Sequence, residues 1–265
     1  NTGTLVTAPI NQPRLNYSFN GYPISTRYSL YCNSTGYLST SNASAFAFGS
    51  NNFTIEYWAW QSAVSDERRT VYSYNSAQQF LIGHSSNAVF FAAYNSSGTL
   101  IGQPTTGAVL SANQWNHVAV VRNGTTVTIY VNGTSQATSL YSTTAIRTDQ
   151  TSLYIGNDPV TSGRILNGYI SNVRIVNGVA VYTGNFTVPT APLSATQSSG
   201  TNISAISGSS TTLLTCQDYT FSDFSVGALS ISKSGVPSTF LPPGYPSDFS
   251  GTGWGSPSVL IEPSV

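Results

Sequence analysis

Chemistry in this chain would have to come from few side chains. Nine acidic residues, nine basic residues and two histidines are spread over 265 positions. Retaining hydrolysis of a glycosidic bond needs two carboxyls about 5–5.5 Å apart. On one strand that means acids two or four positions apart on the same face. Glu56 has Thr54 before it and Trp58 and Trp60 after it at those positions, and no other expected strand carries two acids. The pattern argues against a glycosidase and for a chain that is not an enzyme. His84 and His117 have no cysteine or acid nearby at nucleophile or metal-ligand spacing, so each reads as structural. Aromatic side chains are the other candidates for contact with a ligand, among them Trp60, His117, Tyr130 and Tyr169. Trp58 is expected to pack between sheets instead, as aromatics on central strands usually do.

These residues need strands to position them. Trp115 to Asn132 reads as a hairpin, with β-branched runs on either side of Asn123-Gly124, a dipeptide suited to a type I′ turn. With that turn, Arg122 lies opposite Thr125, Val120 opposite Val127, Val118 opposite Ile129 and His117 opposite Tyr130 as a cross-strand hydrogen-bonding pair. One face then carries Val118, Val120, Val127, Ile129 and Val131, which is a core surface. The other carries His117, Ala119, Val121, Thr126, Thr128 and Tyr130, either a solvated face or a shallow binding face. A sheet with one apolar face must stack on another, so a β-sandwich is expected.

Composition narrows the function classes. Only 7% of residues are charged, the formal net charge is zero, and Lys233 is the single lysine. Without a basic patch there is no electrostatic case for nucleic acid. No run of about 20 apolar residues is present, so no membrane-spanning helix is expected. Asn, Ser, Thr, Gly and Tyr solvate the surface instead, a poor way to keep a free monomer soluble and a lesser problem for a subunit in an assembly. The chain lacks Met and begins Asn1-Thr-Gly-Thr, the expectation being a processed product or a piece of something longer. Cys32 and Cys216 are expected to be free, buried thiols. The nine Asn-x-Ser/Thr sequons follow from an Asn/Ser/Thr-rich composition.

Residues 1–27 read as an irregular lead-in. Strands are expected around Tyr28–Cys32, Tyr37–Leu38, Phe53–Trp60, Val71–Tyr74, Gln79–Ile82 and Ala88–Tyr94, with Asp66-Glu67-Arg68-Arg69 as a solvated loop. In Phe53–Trp60, Phe53, Ile55, Tyr57 and Ala59 share one face and Thr54, Glu56, Trp58 and Trp60 the other. After the hairpin come Ser152–Gly156 and Gly168–Val176. Short strands at about 8–12-residue spacing, with turn residues between and no helical period, indicate an all-β sandwich or barrel. Residues 194–235 read as a Ser/Thr-rich linker with added strands at Thr212–Cys216 and Ala228–Ser232. Residues 236–265 are rich in proline and glycine yet hold Phe240, Tyr245, Phe249 and Trp254, an extended arm docked on its own domain or on a neighbouring subunit.

Several stretches fall in a familiar order: Phe53 to Trp58, Asn113 to Arg122, Val127 to Gly133, Leu153 to Gly156, Gly168 to Gly178 and Tyr182 to Pro189. Over residues 28–193 the chain resembles laminin G-like domains of the concanavalin A-like lectin/glucanase superfamily. The resemblance implies a jelly-roll sandwich of two curved sheets, often used to bind glycans or proteins. With sugar rings held on aromatic faces beside Asn and Ser side chains, it makes Trp60, His117, Tyr130 and Tyr169 the candidate glycan-binding set. Some members hold calcium at loop carboxylates and carbonyls, and here Asp149, Asn157 and Asp158 lie in suitable loops. No other cofactor is implied. Ser171 to Val176 and Leu213 to Gln217 are similar to domains common in structural proteins of marine bacteriophages, including tail fibres and capsid-decorating fibres. That similarity implies a non-enzymatic virion-surface protein and homo-oligomer, held to other virion subunits and touching host-surface polysaccharide. The alternative is a bacterial extracellular adhesion or filament subunit, or a free carbohydrate-binding module.

Overall fold

The computed structural model describes residues 28–33, 35–42, 44–140, 144–235 and 238–240. The lead-in 1–27 and the arm residues Tyr245, Phe249 and Trp254 lie outside them, and Phe240 is described only as the last backbone position of a strand. Two antiparallel sheets face each other, as the all-β jelly-roll reading requires, and the only helical elements among the described residues are two short 3-10 turns.

In chain order the strands are β1 (Ser29–Asn33), β2 (Tyr37–Ser41), β3 (Phe53–Trp60), β4 (Arg68–Tyr74), β5 (Gln78–Ser85), β6 (Ala88–Tyr94), β7 (Leu100–Gly102) and β8 (Trp115–Asn123). They continue as β9 (Thr126–Val131), β10 (Thr134–Leu140), β11 (Ser152–Ile155), β12 (Asn167–Asn177), β13 (Thr211–Thr215), β14 (Ile231–Ser234) and β15 (Ser238–Phe240). Sheet A runs β10-β9-β8-β3-β12-β1-β15, with β13 also paired to β12. Sheet B runs β14-β2-β11-β4-β5-β6-β7. The main core lies between them, and Phe53, Ile55, Tyr57 and Ala59 of β3 face it as the alternation predicts.

The β8–β9 hairpin corrects the expected register. Asn123 pairs with Thr126 and Ala119 with Tyr130, so the turn is Gly124-Thr125 rather than Asn123-Gly124. Gly124 has φ +60° and Asn123 is not left-handed, the type II′ pattern with glycine first. The Asn-Gly turn with both residues left-handed comes one hairpin later, at Asn132 (φ +51°) and Gly133 (φ +79°), between β9 and β10. The register moves by an even number of residues, so each side chain keeps its face. Val118, Val120, Val127, Ile129 and Val131 all enter the core.

The other face of sheet A is not open. Residues 178–206, expected in part as free linker, lie across it as a covering segment. Ala119, Val121, Tyr130 and Val176 of the sheet pack against Ala180, Val181, Tyr182, Phe186 and Ile206 in a second, smaller core. The segment is fastened by backbone and side-chain bonds. Phe186 N–H donates to the Gly133 carbonyl (2.9 Å), Val181 N–H to Thr54 Oγ1 (2.9 Å) and Leu193 N–H to Asn172 Oδ1 (3.0 Å). A Cβ on Gly133 would collide with the Phe186 carbonyl oxygen, so the close approach and the left-handed turn both require glycine there.

A bulge in β12 sets up the buried chemistry. The pairing with β3 shifts between Ser171 and Arg174, where Asn172 takes φ +53°. Strict alternation would turn Arg174 to the same side as Ile170, into the main core. The extra residue reverses the parity, so Arg174 falls opposite Glu56 on the outer face. Cys32 and Cys216 are both buried and unpaired, as expected.

Candidate functional site

The expected glycan-binding residues separate in space. His117 is 0% exposed and Tyr130 is 4% exposed, both beneath the covering segment. They are corrected as a direct sugar-contacting pair, because Tyr182 and Phe186 of the covering segment pack over both rings and follow no strand period that would mark them as a cover. His117 does not pair with Tyr130 either. Its backbone N–H donates to Asn132 Oδ1 (2.9 Å), and its ring lies 3.2 Å from Glu56 Oε2 and edge-on to Trp58. Trp58 is buried, on the outer face of sheet A rather than between the sheets. Trp60 and Tyr169 stay half-buried and are directly paired across β3 and β12, with ring centroids 5.6 Å apart. Tyr31 on β1 extends the row, 4.7 Å from Tyr169. Trp60 meets Tyr169 at 78°, so the row packs edge to face rather than as one flat platform.

Glu56 is the acid a glucanase reading would need, and it is inaccessible. Its Oε1 accepts from Arg174 Nη2 (2.6 Å) and Nε (2.9 Å), and its Oε2 accepts from the Tyr182 hydroxyl (2.7 Å). Burial alone would push its carboxyl up, but Arg174, with His117 and Tyr182, outweighs that and holds it at about 2. Burial and the adjacent carboxylate push the Tyr182 phenol well above its ordinary value. Arg174 also donates to Ser194 O and Gln197 Oε1, both at 2.8 Å, and so ties the covering segment to the sheet. The cluster is an internal clamp.

The loop acids do not fit a calcium ion, which takes 6–8 oxygen ligands. Both Asp149 oxygens accept from Arg147 at 2.7 Å. Asp158 Oδ1 accepts from the Val160 and Thr161 N–H groups at 2.9 Å, and its Oδ2 lies 3.5 Å from Arg69 Nε. Asn157 is buried beside it. Among the described residues no group of three or more His, Cys, Asp or Glu could hold a metal.

Sequence reasoning missed the outer face of sheet B. Tyr154 on β11 is paired directly with Tyr72 on β4, and Tyr72 in turn with Leu81 on β5. Tyr74 and Tyr94 pack on the same cluster, over a floor of Tyr72, Leu81, Phe90 and Ala92. Tyr37 on β2 joins from the side, 6.1 Å from Tyr154. Of these tyrosines only Tyr72 is buried, and Tyr37, Tyr74, Tyr94 and Tyr154 keep part of their surface in solvent. Polar groups flank the cluster from the two ends of β4, Gln78 opposite Tyr74 and Arg69 opposite Gly83. Gln78 Nε2 donates to the Tyr72 hydroxyl (2.7 Å), and Arg69 lies over the Phe90 ring at 5.0 Å. Arg69 also donates to Glu67 Oε1 (2.8 Å). The expected solvated loop at 66–69 holds for Asp66, which is exposed, and is corrected for Arg68 and Arg69, which begin β4, Arg69 being buried and bound by its partners. Burial, opposed by the Gln78 hydrogen bond and helped by Asp158, pushes the Tyr72 phenol up to about 12, so it stays a neutral donor and acceptor. The available signal was Tyr72 and Tyr74 two residues apart on one strand. Their partners come from strands distant in the chain.

Two stacked antiparallel sheets, a covered outer face on one and a tyrosine-bearing outer face on the other, define a lectin-like jelly-roll domain, with no exposed acid pair on a strand among the described residues. A laminin G family model, described as the concanavalin A-like lectin/glucanases superfamily, matches residues 33–182, and the chain belongs to that family. Among solved structures, a Bacteroides ovatus protein described as carbohydrate binding is similar at 14% identity and TM-score 0.52, covering 80% of this chain and 61% of that one. Two laminin G-like domains of the mouse laminin alpha1 chain align at 15% identity and TM-score 0.47, covering 56% of this chain and 40% of theirs. A heptameric pentraxin of Limulus polyphemus aligns at 14% identity and TM-score 0.44, covering 57% and 76%. The chain therefore spans less than two thirds of the laminin and Bacteroides structures. Comparison with curated proteins gave no match.

Proposed function

We propose that this chain is a non-enzymatic recognition domain that contacts glycans through the tyrosine face of sheet B. The observation that carries the reading is the set of part-exposed tyrosines, Tyr37, Tyr74, Tyr94 and Tyr154, beside the neutral hydrogen-bonding groups of Tyr72 and Gln78. Aromatic rings offer apolar surface to the C–H faces of sugars, while phenols and amides serve the hydroxyls. The fold family and the Bacteroides ovatus structure support a carbohydrate ligand. Trp60 and Tyr169 are a lesser contact on the opposite sheet, because their rings are half-buried and mutually edge-on.

Within this reading the domain is displayed on a surface. The similarity of Ser171 to Val176 and of Leu213 to Gln217 to phage modules supports a capsid-decorating or tail-fibre subunit, and the charge-poor composition suits a subunit held in an assembly. Residues 236–265, which pair with β1 of their own sheet at Ser238–Phe240, would continue from there to join copies or dock on other virion subunits. A glycan array tests the recognition step. The full chain should bind one class of surface polysaccharide, and Tyr74→Ala with Tyr154→Ala should abolish that binding without unfolding the protein. Retained binding by the double variant would refute the tyrosine face as the site.

A further inference from the structure

A second opening lies on the opposite sheet. Where the covering segment meets the β8–β9 hairpin, the surface carries an open pocket of about 260 Å³. Its floor is Val121, Tyr130 and Tyr182, all buried. The Tyr182 hydroxyl is spent on Glu56 and offers nothing to a ligand. The rim is polar: Thr126, Thr128 and Thr183 supply hydroxyls and Asn123 an amide, Thr128 sharing its hydroxyl with Thr138 (3.3 Å), and Asn123 and Thr183 are exposed. No charged side chain is among the lining residues.

That lining selects a ligand class. Each threonine hydroxyl donates one hydrogen bond and accepts two, and the Asn amide does both, so the rim matches a ligand dense in hydroxyls. An ionic ligand would lose hydration here without a counter-charge. An apolar ligand would leave the rim hydroxyls unsatisfied. The volume is just below the lower bound of about 300 Å³ for drug-sized pockets, which suits one ring rather than a chain.

We propose that this pocket is a second binding site, for a single neutral sugar ring such as the end of a glycan. It goes beyond the tyrosine face, sits on the other sheet and shares no residue with it. Together the two sites would let one domain touch saccharide on both sides.

Amide NMR of the full chain, titrated with a panel of neutral methyl hexosides and with glucuronic acid, tests the proposal. At least one neutral hexoside should shift Thr126, Thr128 and Thr183 saturably. Thr126→Val and Thr128→Val should each weaken its binding about three- to tenfold with the urea midpoint unchanged. Tyr154→Ala should leave this titration unaltered, so the two sites fail or succeed separately. The proposal is overturned if no neutral hexoside moves these amides, if the valine variants bind as tightly as the native chain, or if glucuronic acid binds more tightly than its neutral counterparts.

Discussion

Replacing Arg174 by Met puts the buried clamp to a quantitative test. Arg174 is fully buried and donates two hydrogen bonds to Glu56, one to the Ser194 carbonyl and one to Gln197. The variant keeps an apolar stem in place but leaves the Glu56 carboxylate buried with only His117 and Tyr182. Removing one partner of a buried ion pair costs about 3–5 kcal/mol. The titration of Glu56 gives a similar size. Its carboxyl falls from 4.5 to about 2 on folding, roughly 3 kcal/mol in favour of the folded, ionised form. Because the folded value is depressed, this stabilisation is complete above about pH 4.5 and disappears as pH falls toward 2. Urea unfolding at neutral pH should therefore show Arg174→Met less stable by about 3–5 kcal/mol. Its loss of stability between pH 4.5 and 2 should be much shallower than that of the native chain. Glu56→Gln combined with Arg174→Met should recover part of the loss, with a coupling of about 2 kcal/mol. A single-variant cost below about 1 kcal/mol, or an additive double variant, would refute the clamp.

Other outcomes follow from single sites. Burial, with Arg68 and Arg69 nearby, lowers the His84 imidazole to about 4, and its Nε2 is bonded to Gln61 (2.9 Å). Its stabilisation is full above pH 6.5 and lost as pH falls to about 4, so His84→Gln should remove a phase of about 3 kcal/mol from the pH–stability profile in that window. Gly133→Ala must strain a φ of +79° and push on the Phe186 carbonyl, and should lower the unfolding free energy by more than about 1 kcal/mol. Gly124→Asn, at φ +60° with open space around it, meets no neighbouring atom but must take the glycine-first position of a type II′ turn, and should cost about 1 kcal/mol in the same urea series. If residues 236–265 join copies, native mass spectrometry should find an oligomer for the full chain and a monomer after their removal. A monomer in both would place their contacts within one chain.

The parts of the fold legible in the sequence were those with period-two patterning. In β3, Phe53, Ile55, Tyr57 and Ala59 alternate cleanly with Thr54, Glu56, Trp58 and Trp60, and the structure keeps both sets apart. The hairpin faces survived a mistaken turn because the register error was even. Three features had no such signal. β10 is a polar edge strand, Thr134 to Leu140, with no apolar alternation to mark it. The covering segment is Ser/Thr/Gly-rich, and its few anchors, Val181, Tyr182, Phe186, Leu193 and Ile206, follow no period. The bulge at Asn172 reverses the parity of β12, so no regular strand pattern would place Arg174 against Glu56. The tyrosine face was hidden for a different reason. Tyr37, Tyr72, Tyr94 and Tyr154 meet only through the pairing order of sheet B, which local sequence does not encode.

The most direct test of glycan recognition is to map the bound polysaccharide on the protein. Amide and tyrosine-ring NMR shifts should be recorded on the full chain with the best ligand from the array. The largest changes should fall on Tyr37, Tyr72, Tyr74, Tyr94 and Tyr154 and their strand neighbours, with the rings protected from solvent. Shifts confined to sheet A or to the loops, with the sheet B tyrosines unmoved, would contradict the account.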